Sequence, residues 1–180
     1  MGRVVSFGAT ARKSILVGMS ELAKAVVSTL GPKGRLCILD NGSIHPVATK
    51  DGVSVSRFIE FSDPYKNIGA HMIQEVARRV ESETGDGTTT STLIAWELCK
   101  AGNSLINQGF DAVDIKKGFD KACRDVIDML EKQKRLLNGE DDIFHIATIS
   151  ANNDEEIGGY IKEAYVNLGE GGRVNAVPSH

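Results

Sequence analysis

The sequence lacks the features that mark several large classes of protein. Its 180 residues carry a net charge of −3 with no cluster of basic residues, so neither nucleic acid nor a membrane surface is a predicted partner. No apolar run approaches the length that spans a bilayer. The three cysteines, Cys37, Cys99 and Cys123, are odd in number and widely spaced, which supports neither a disulfide framework nor a zinc site. We interpret them as free thiols of a reducing compartment and expect a cytoplasmic protein.

The composition and the apolar spacing indicate a mostly helical globular chain. An apolar fraction of 41% and a charged fraction of 25% are ordinary for a folded domain. From Thr10 to Leu30 the apolar residues recur at steps of three and four, which predicts one long amphipathic helix. Gly31 and Pro32 follow, and this pair is typical of a helix end.

Capping residues predict where further helices begin. Asp63 precedes a proline and an apolar stripe, and Asp111 precedes another, so each is a candidate N-cap. A helix over about residues 88–105 lies between them. The polar stretch LNGEDD, which begins at Leu137, marks a boundary. A short apolar segment, IFHIATISA, follows it and leads to a last amphipathic helix with Asp154 as its cap and Gly169 as its stop.

One stretch follows the pattern of a small β-hairpin. Leu36 to Leu39 and Val47 to Thr49 are strand-like, and Asn41-Gly42 between them is a strong turn signal. We expect Asp51-Gly52 to form a further turn. Because an isolated hairpin is marginal in water, this one must pair with the terminal segment VVSF or with another chain. The predicted fold class is therefore mostly α with a small β-hairpin.

The segment TGDGTTT, at residues 84–90, carries the clearest chemical signal. A helix start exposes unsatisfied N–H groups, glycine lets the backbone approach a ligand, and threonine hydroxyls donate to phosphate oxygens. An aspartate among such donors can hold a divalent cation that the phosphates also hold. The alternative is a helix start capped by threonine, but capping needs only one such side chain. The chain contains no Walker A sequence, so a nucleotide site here would belong to another class.

Two further segments are weaker candidates. The segment TLGPKG, at residues 29–34, could approach a base or a sugar, although a Gly-Pro helix end is sufficient to explain it and is the stronger interpretation. In TKDG, Lys50 could contact a phosphate, and Asp51 could orient an attacking water or help to hold a metal. An ordinary Asp-Gly turn is the competing interpretation of that segment.

The joint occurrence of four motifs, in order, carries a family resemblance. TLGPKGR, TKDGVSV, GDGTTT and ISANND together closely resemble the group I, GroEL-type chaperonin family over about residues 5–172. The resemblance implies a ring of subunits, commonly seven in each ring, that encloses unfolded client proteins and hydrolyses ATP. A co-chaperonin is a further candidate partner.

The resemblance also implies a domain organisation. Residues 1–133 match the first segment of the equatorial ATP-binding domain, and residues 134–180 match the first segment of the intermediate hinge domain. The apical domain and the returning segments, with a further catalytic aspartate, are expected to be absent. The hairpin matches the family element that adds strands to a neighbouring subunit.

The matched motifs assign roles to individual residues by resemblance. Asp51 would assist hydrolysis, and Asp86 would ligate Mg²⁺, with K⁺ as a further candidate ion. The residues expected to contact ATP are Thr29, Leu30, Gly31, Pro32, Lys50, Gly87, Thr88, Thr89 and Thr90. Two other functions stay open: a truncated, non-catalytic module that joins or caps a ring, and a small phosphotransferase, which would leave the hairpin unexplained.

Overall fold

A computed structural model describes residues 5–40, 42, 45–169 and 174. Within them the elements follow one another in the order α1 (Gly8–Val27), β1 (Cys37–Leu39), β2 (Val47–Thr49), α2 (Gly52–Phe58), α3 (Pro64–Thr84), α4 (Thr88–Asn107), α5 (Ala112–Gln133), α6 (Glu140–Ser150) and α7 (Glu155–Leu168). The prediction of a mostly helical chain with one small hairpin is confirmed. None of these helices combines the length and the apolar character that a membrane crossing requires.

The chain divides into two compact units, Met1–Phe119 and Asp120–His180. The first contains α1 to α4, the hairpin and the start of α5. The second contains the rest of α5 with α6 and α7. The division predicted from the family resemblance, at residues 133 and 134, concerns a domain of a larger subunit and stays a prediction.

The core of the first unit lies where α1, α2 and α3 meet. Its buried apolar residues are Met19, Leu22, Val26, Val55, Ala70 and Ile73. Leu22 and Val26 have no exposed surface at all. Burial of a leucine of this kind stabilises the fold by about 1.5–3 kcal/mol, and Met19, Leu22 and Val26 of the stripe predicted for α1 belong to this core.

Two glycines allow α1 and α3 to cross at close range. A Cβ atom built on Gly18 would lie 1.9 Å from the carbonyl oxygen of Lys66, and one built on Gly69 would lie 2.0 Å from that of Ile15. Both contacts are with backbone atoms, which cannot rotate away. The helices can therefore pack this closely only because neither position carries a side chain.

Aspartate caps fix the start of four helices. The carboxylates of Asp51, Asp63 and Asp154 accept hydrogen bonds from the backbone N–H groups of α2, α3 and α7. Asp111 does the same for α5, accepting from the N–H of Val113 at 2.8 Å. Asp63, Asp111 and Asp154 thus confirm the predicted caps, because a carboxylate satisfies N–H groups that have no partner inside the helix.

Two helices differ from the sequence expectation. The segment after Asp51 is the helix α2 rather than a turn, and the apolar segment after residue 139 is the helix α6. Three acidic residues occupy the first turn of α6, where the positive end of the helix dipole favours them.

The hairpin pairs β1 with β2 in antiparallel register, with Ile38 opposite Ala48. In the described part of the chain it forms a sheet of these two strands alone. Ile38 is 71% exposed and Val47 is 53% exposed. Residues 5–7 form no strand, while Val4, Asn41 and the strand-like segment expected near the C-terminus lie outside the described residues, apart from Val174.

The apolar face predicted for α5 is largely uncovered. Ile115 and Phe119 are half-buried, but Val126 is 51% exposed and Leu130 is 58% exposed. No residue of α5 is fully buried. The apolar spacing predicts the correct helix, and its inner face packs near Gly102 at Ile115 and Phe119 but is exposed at Val126 and Leu130.

Candidate functional site

The loop between α3 and α4 has an open backbone built on two glycines. Gly85 ends α3 with a φ of 73°, and Gly87 precedes α4 with a φ of 82°. These values lie in the left-handed region, which favours glycine. A Cβ on Gly85 would meet nothing within 4 Å, and one on Gly87 would meet only a Val80 methyl group at 3.9 Å. The loop therefore has open space beside both glycines.

The first turn of α4 carries no side-chain cap. Gly87 occupies the N-cap position, and no hydroxyl accepts from the helix there. The first regular bond runs from the N–H of Ser91 to the carbonyl of Gly87, at 2.9 Å. The N–H groups of Thr88, Thr89 and Thr90 have no acceptor among the described residues, which is the arrangement that binds anions at helix starts. The alternative interpretation, a helix start capped by a threonine side chain, is therefore wrong for α4.

The carboxylate of Asp86 lies at the edge of this turn. Its Oδ1 accepts from the N–H of Gly87 at 2.6 Å, and the hydroxyl of Thr84 donates to its backbone carbonyl at 2.7 Å. Asp86 is exposed and forms no ion pair with the described residues. One carboxylate oxygen is thus held by the loop, and the other remains able to ligate a cation.

The start of α2 lies against the start of α4. Gly52 is buried, and a Cβ atom placed on it would lie 2.1 Å from the Oγ1 of Thr89 and 3.2 Å from a methyl group of Val26. The TKDG and GDGTTT motifs, which are more than 30 residues apart in sequence, therefore meet in space. The missing side chain at Gly52 is what allows this approach.

Asp51 is the N-cap of α2, and its charge is well solvated by the protein. It accepts from the N–H of Val53 at 3.2 Å, from the N–H of Ser54 at 2.9 Å and from the Ser54 hydroxyl at 2.6 Å. Partial burial opposes ionisation, but these hydrogen bonds, helped by the charge of Arg57, outweigh it and lower the pKa of Asp51. Ser54 was not a candidate from sequence, although its place three residues after an aspartate is a capping pattern.

The preceding residue, Lys50, is exposed at the end of β2. Its ammonium group forms no ion pair within the described part of the chain. A cation in this state is available for an anionic ligand, and the neighbouring Asp51 directs its own carboxylate towards α2 rather than towards Lys50.

The segment after α1 folds into a compact turn. The N–H of Gly34 donates to the carbonyl of Gly31 at 2.9 Å, and the N–H of Arg35 donates to Ser28 at 2.8 Å. Gly31 has a φ of 76°, and a Cβ there would meet nothing within 4 Å. Leu30, Gly31 and Pro32 are exposed, so this turn offers open backbone beside Val26, which itself contacts the Gly52 region.

Asp86 and the N–H groups beside it fit a cation that is bound together with a phosphate ligand better than a metal ion held by protein side chains alone. Within the described residues, no group of three or more His, Cys, Asp or Glu side chains could hold a metal ion. Mg²⁺ is commonly bound by one or two carboxylates together with substrate phosphates. Asp86, with open N–H groups beside it, matches that arrangement.

Comparison with known proteins gives a consistent result. The sequence profile of the TCP-1/cpn60 chaperonin family matches residues 22–176. The crystal structure of the chaperonin gp146 from bacteriophage EL 2 (Pseudomonas aeruginosa), solved in the presence of ATP-BeFx, is similar with a TM-score of 0.72 and 30% identity, over 89% of this chain and 28% of that one. A group III chaperonin in the open state gives a TM-score of 0.74 and 27% identity, over 88% of this chain and 32% of that one.

The chain thus spans about a third or less of the length of these solved chaperonins. A phage chaperonin and a group III chaperonin match this chain at similar identity. The assignment to group I therefore stays a prediction. The family profile covers most of the chain, and solved chaperonins share its fold. The chain belongs to the TCP-1/cpn60 chaperonin family.

Proposed function

We propose that this chain is the N-terminal part of an ATP-dependent chaperonin subunit, and that residues 84–90 bind the phosphates of ATP. The observation that carries the proposal is the contact between the uncapped start of α4 and the start of α2, through Gly52 and Thr89. The uncapped start of α4 supplies open N–H groups and a positive dipole end, which favour a polyanion, and Gly52 brings the TKDG motif next to it. The relative solved with ATP-BeFx supports the choice of ATP.

Each candidate residue has a distinct task in this proposal. Thr88, Thr89 and Thr90 donate backbone and hydroxyl hydrogens to phosphate oxygens, Gly87 lets the ligand approach the backbone, and Lys50 adds a positive charge. Asp86 holds Mg²⁺, with K⁺ as a second candidate ion. When bound, Mg²⁺ would neutralise phosphate charge. The exposed turn of Thr29, Leu30, Gly31 and Pro32 contacts the nucleoside.

Asp51 acts by position in this account. A general base works best with a pKa near the operating pH, whereas hydrogen bonds lower the pKa of Asp51. Asp51 is therefore ionised at neutral pH and is a weak base. We assign it the orientation of the attacking water, for which a fixed, charged acceptor is sufficient.

Ring assembly uses the hairpin. Both outer edges of β1 and β2 lack a strand partner in the described chain, and exposed edges of this kind pair readily with strands of another chain. We propose a homo-oligomeric ring of seven subunits in the cytoplasm, which binds unfolded client proteins and a co-chaperonin.

ATP binding is proposed to drive a conformational change within each subunit. ATP at the site in residues 1–133 biases a hinge near residues 137–139, close to the start of residues 134–180.

The decisive experiment is isothermal titration of the chain with ATP in the presence of Mg²⁺. Asp86→Ala removes the cation ligand and should raise Kd at least about tenfold, a change of about 1.4 kcal/mol. Glu83→Ala is the matched control, because Glu83 is an exposed acid on the last turn of α3. Unchanged affinity in Asp86→Ala, or equal losses in the two variants, would contradict the proposal.

The second candidate function is the non-catalytic assembly module. The unpaired hairpin edges favour it, since they need no nucleotide to act. Native mass spectrometry of the same variants separates the two candidates. Assembly that persists without any ATP binding by the wild-type chain supports the module, and assembly together with Mg²⁺-dependent binding supports the chaperonin subunit.

The task assigned to Asp51 has its own test. Asp51→Asn keeps an N-cap but loses the charge, so hydrolysis should slow by at least about tenfold while nucleotide affinity is retained. Ser54→Ala is the control, since it removes one donor to Asp51 and leaves the carboxylate. Parallel loss of affinity and turnover in Asp51→Asn would argue against a role in hydrolysis.

A further inference from the structure

The link between α5 and α6 contains an Asn-Gly sequence whose side-chain amide and following backbone nitrogen are both open to solvent. Residues 134–138 have no regular secondary structure, and both Asn138 and Gly139 are exposed. The side-chain amide of Asn138 has no hydrogen-bond partner among the described residues. The N–H of Gly139 likewise has no acceptor there. Gly139, with a φ of 90°, adds no side chain that could shield its nitrogen.

We propose that Asn138-Gly139 is a site of spontaneous deamidation, which converts Asn138 to aspartate or isoaspartate and loosens the attachment of this link to α6. The Gly139 nitrogen loses its proton and attacks the Cγ of Asn138. The N–Cγ bond forms, the Cγ–Nδ2 bond breaks, and ammonia leaves with the proton. Water then opens the resulting succinimide at either carbonyl, which gives aspartate or isoaspartate. Water is the only co-reactant.

The structural effect of deamidation follows from the hydrogen bonds that residues 135 and 138 make to Asp142. The N–H of Asn138 donates to Oδ2 of Asp142 at 2.8 Å, and the guanidinium of Arg135 donates to Oδ1 at 3.0 Å. Asp142 therefore joins two residues of the link to the first turn of α6. The hydrogen bond from Asn138 and the charge and hydrogen bond of Arg135 all lower the pKa of Asp142.

The two products disturb this attachment in different ways. Isoaspartate adds one backbone atom between residue 138 and Gly139, which alters the closed loop from the N–H of residue 138 to Asp142. Aspartate keeps the backbone but places a like charge near Asp142, and Arg135 then has two carboxylates to pair with. Both changes weaken the hydrogen bond at residue 138, and the inference does not depend on nucleotide binding.

The first measurement is peptide mapping by mass spectrometry after incubation of the folded chain at mildly alkaline pH. Asn138 should deamidate at least about tenfold faster than Asn152, which is exposed but is followed by asparagine. Asn138→Gln should abolish the modification, because a glutamine side chain cyclises far less readily. Equal rates at residues 138 and 152, or a rate at residue 138 that rises at least about tenfold when urea unfolds the chain, would overturn the proposal.

The second measurement is hydrogen exchange of the residue 138 amide in aged, unmodified and Asn138→Asp chains. The aged chain should exchange at least about tenfold faster because its amide has lost its acceptor. Asn138→Asp carries the charge without the extra backbone atom and should show a smaller increase. Unchanged exchange in the aged chain would show that the modification leaves the attachment intact and would refute that part of the proposal.

Discussion

Gly52→Ala tests whether the two helix starts touch as described. The new Cβ would lie 2.1 Å from the Oγ1 of Thr89, 3.3 Å from its Cβ and 3.2 Å from a Val26 methyl group. Favourable contacts between such atoms need about 3.5 Å or more. Thr89 must rotate or the helices must separate, and overpacking of this kind costs about 1–3 kcal/mol. A gain of about 0.4–1 kcal/mol from the lower entropy of the unfolded chain offsets part of it.

We therefore expect a net loss of about 1–2 kcal/mol from Gly52→Ala. Urea unfolding followed by Trp96 fluorescence measures it, because the chain has one tryptophan and Trp96 lies on α4 in the same unit. In a Thr89→Ala background the hydroxyl is gone, and the loss should shrink by about 1 kcal/mol. Residual contact with Val26 keeps the rescue partial.

Gly118→Ala is the control for helical propensity. Gly118 lies in α5, and a Cβ there would meet nothing within 4 Å. Its replacement should be neutral or should stabilise the chain by up to about 1 kcal/mol. If Gly52→Ala behaves like Gly118→Ala, or if Thr89→Ala gives no rescue, the starts of α2 and α4 do not meet and the reasoning fails.

Three further predictions concern the fold around the site. Gly18→Ala should destabilise the chain by about 3 kcal/mol, at the upper end for overpacking, because the Lys66 carbonyl cannot rotate away. A neutral result in urea unfolding would contradict the close crossing of α1 and α3. Leu22→Ala should cost about 2–5 kcal/mol in the same assay, since Leu22 is fully buried, and a loss below about 1 kcal/mol would place it outside the core. Because the folded-state pKa of Asp51 is lowered, its contribution to stability is present above the ordinary aspartate pKa of about 4 and is lost as the pH falls through the folded value. Asp51→Asn should therefore lose less stability than the wild type on acidification, and identical pH profiles would contradict the lowered pKa.

Local capping signals made the starts of α3, α5 and α7 predictable. Asp63, Asp111 and Asp154 each precede an apolar stripe, and each caps a helix in the structure. Gly169 ends α7 as expected, with the N–H of Gly169 donating to Tyr165. Such signals act within a single turn, so sequence alone reveals them.

The helices that the sequence did not reveal depend on tertiary contacts. α2 has seven residues, and its alternating valines and serines have the two-residue period of a strand rather than that of a helix. It is helical because Val53 and Val55 are buried against neighbouring helices while Asp51 caps it. The start of α6 carried a readable signal in its three acidic residues, but these also look like the polar break between two segments.

The candidate site was predictable in its parts but not in its arrangement. The glycines and threonines of residues 84–90 indicate an anion site from their chemistry. The approach of Gly52 to Thr89 depends on how α2 packs against α4, which no local pattern encodes. The same holds for Ser54, whose value lies in its hydrogen bonds to Asp51.

The most direct test of the nucleotide site is to follow its backbone amides. In ¹⁵N–¹H spectra of the labelled chain, titration with ATP and Mg²⁺ should shift the amide signals of Thr88, Thr89 and Thr90 most, because their N–H groups gain phosphate acceptors. The same titration of Asp86→Ala should leave them nearly unchanged. Wild-type spectra in which these three signals stay fixed while others move would place the triphosphate elsewhere and contradict the account.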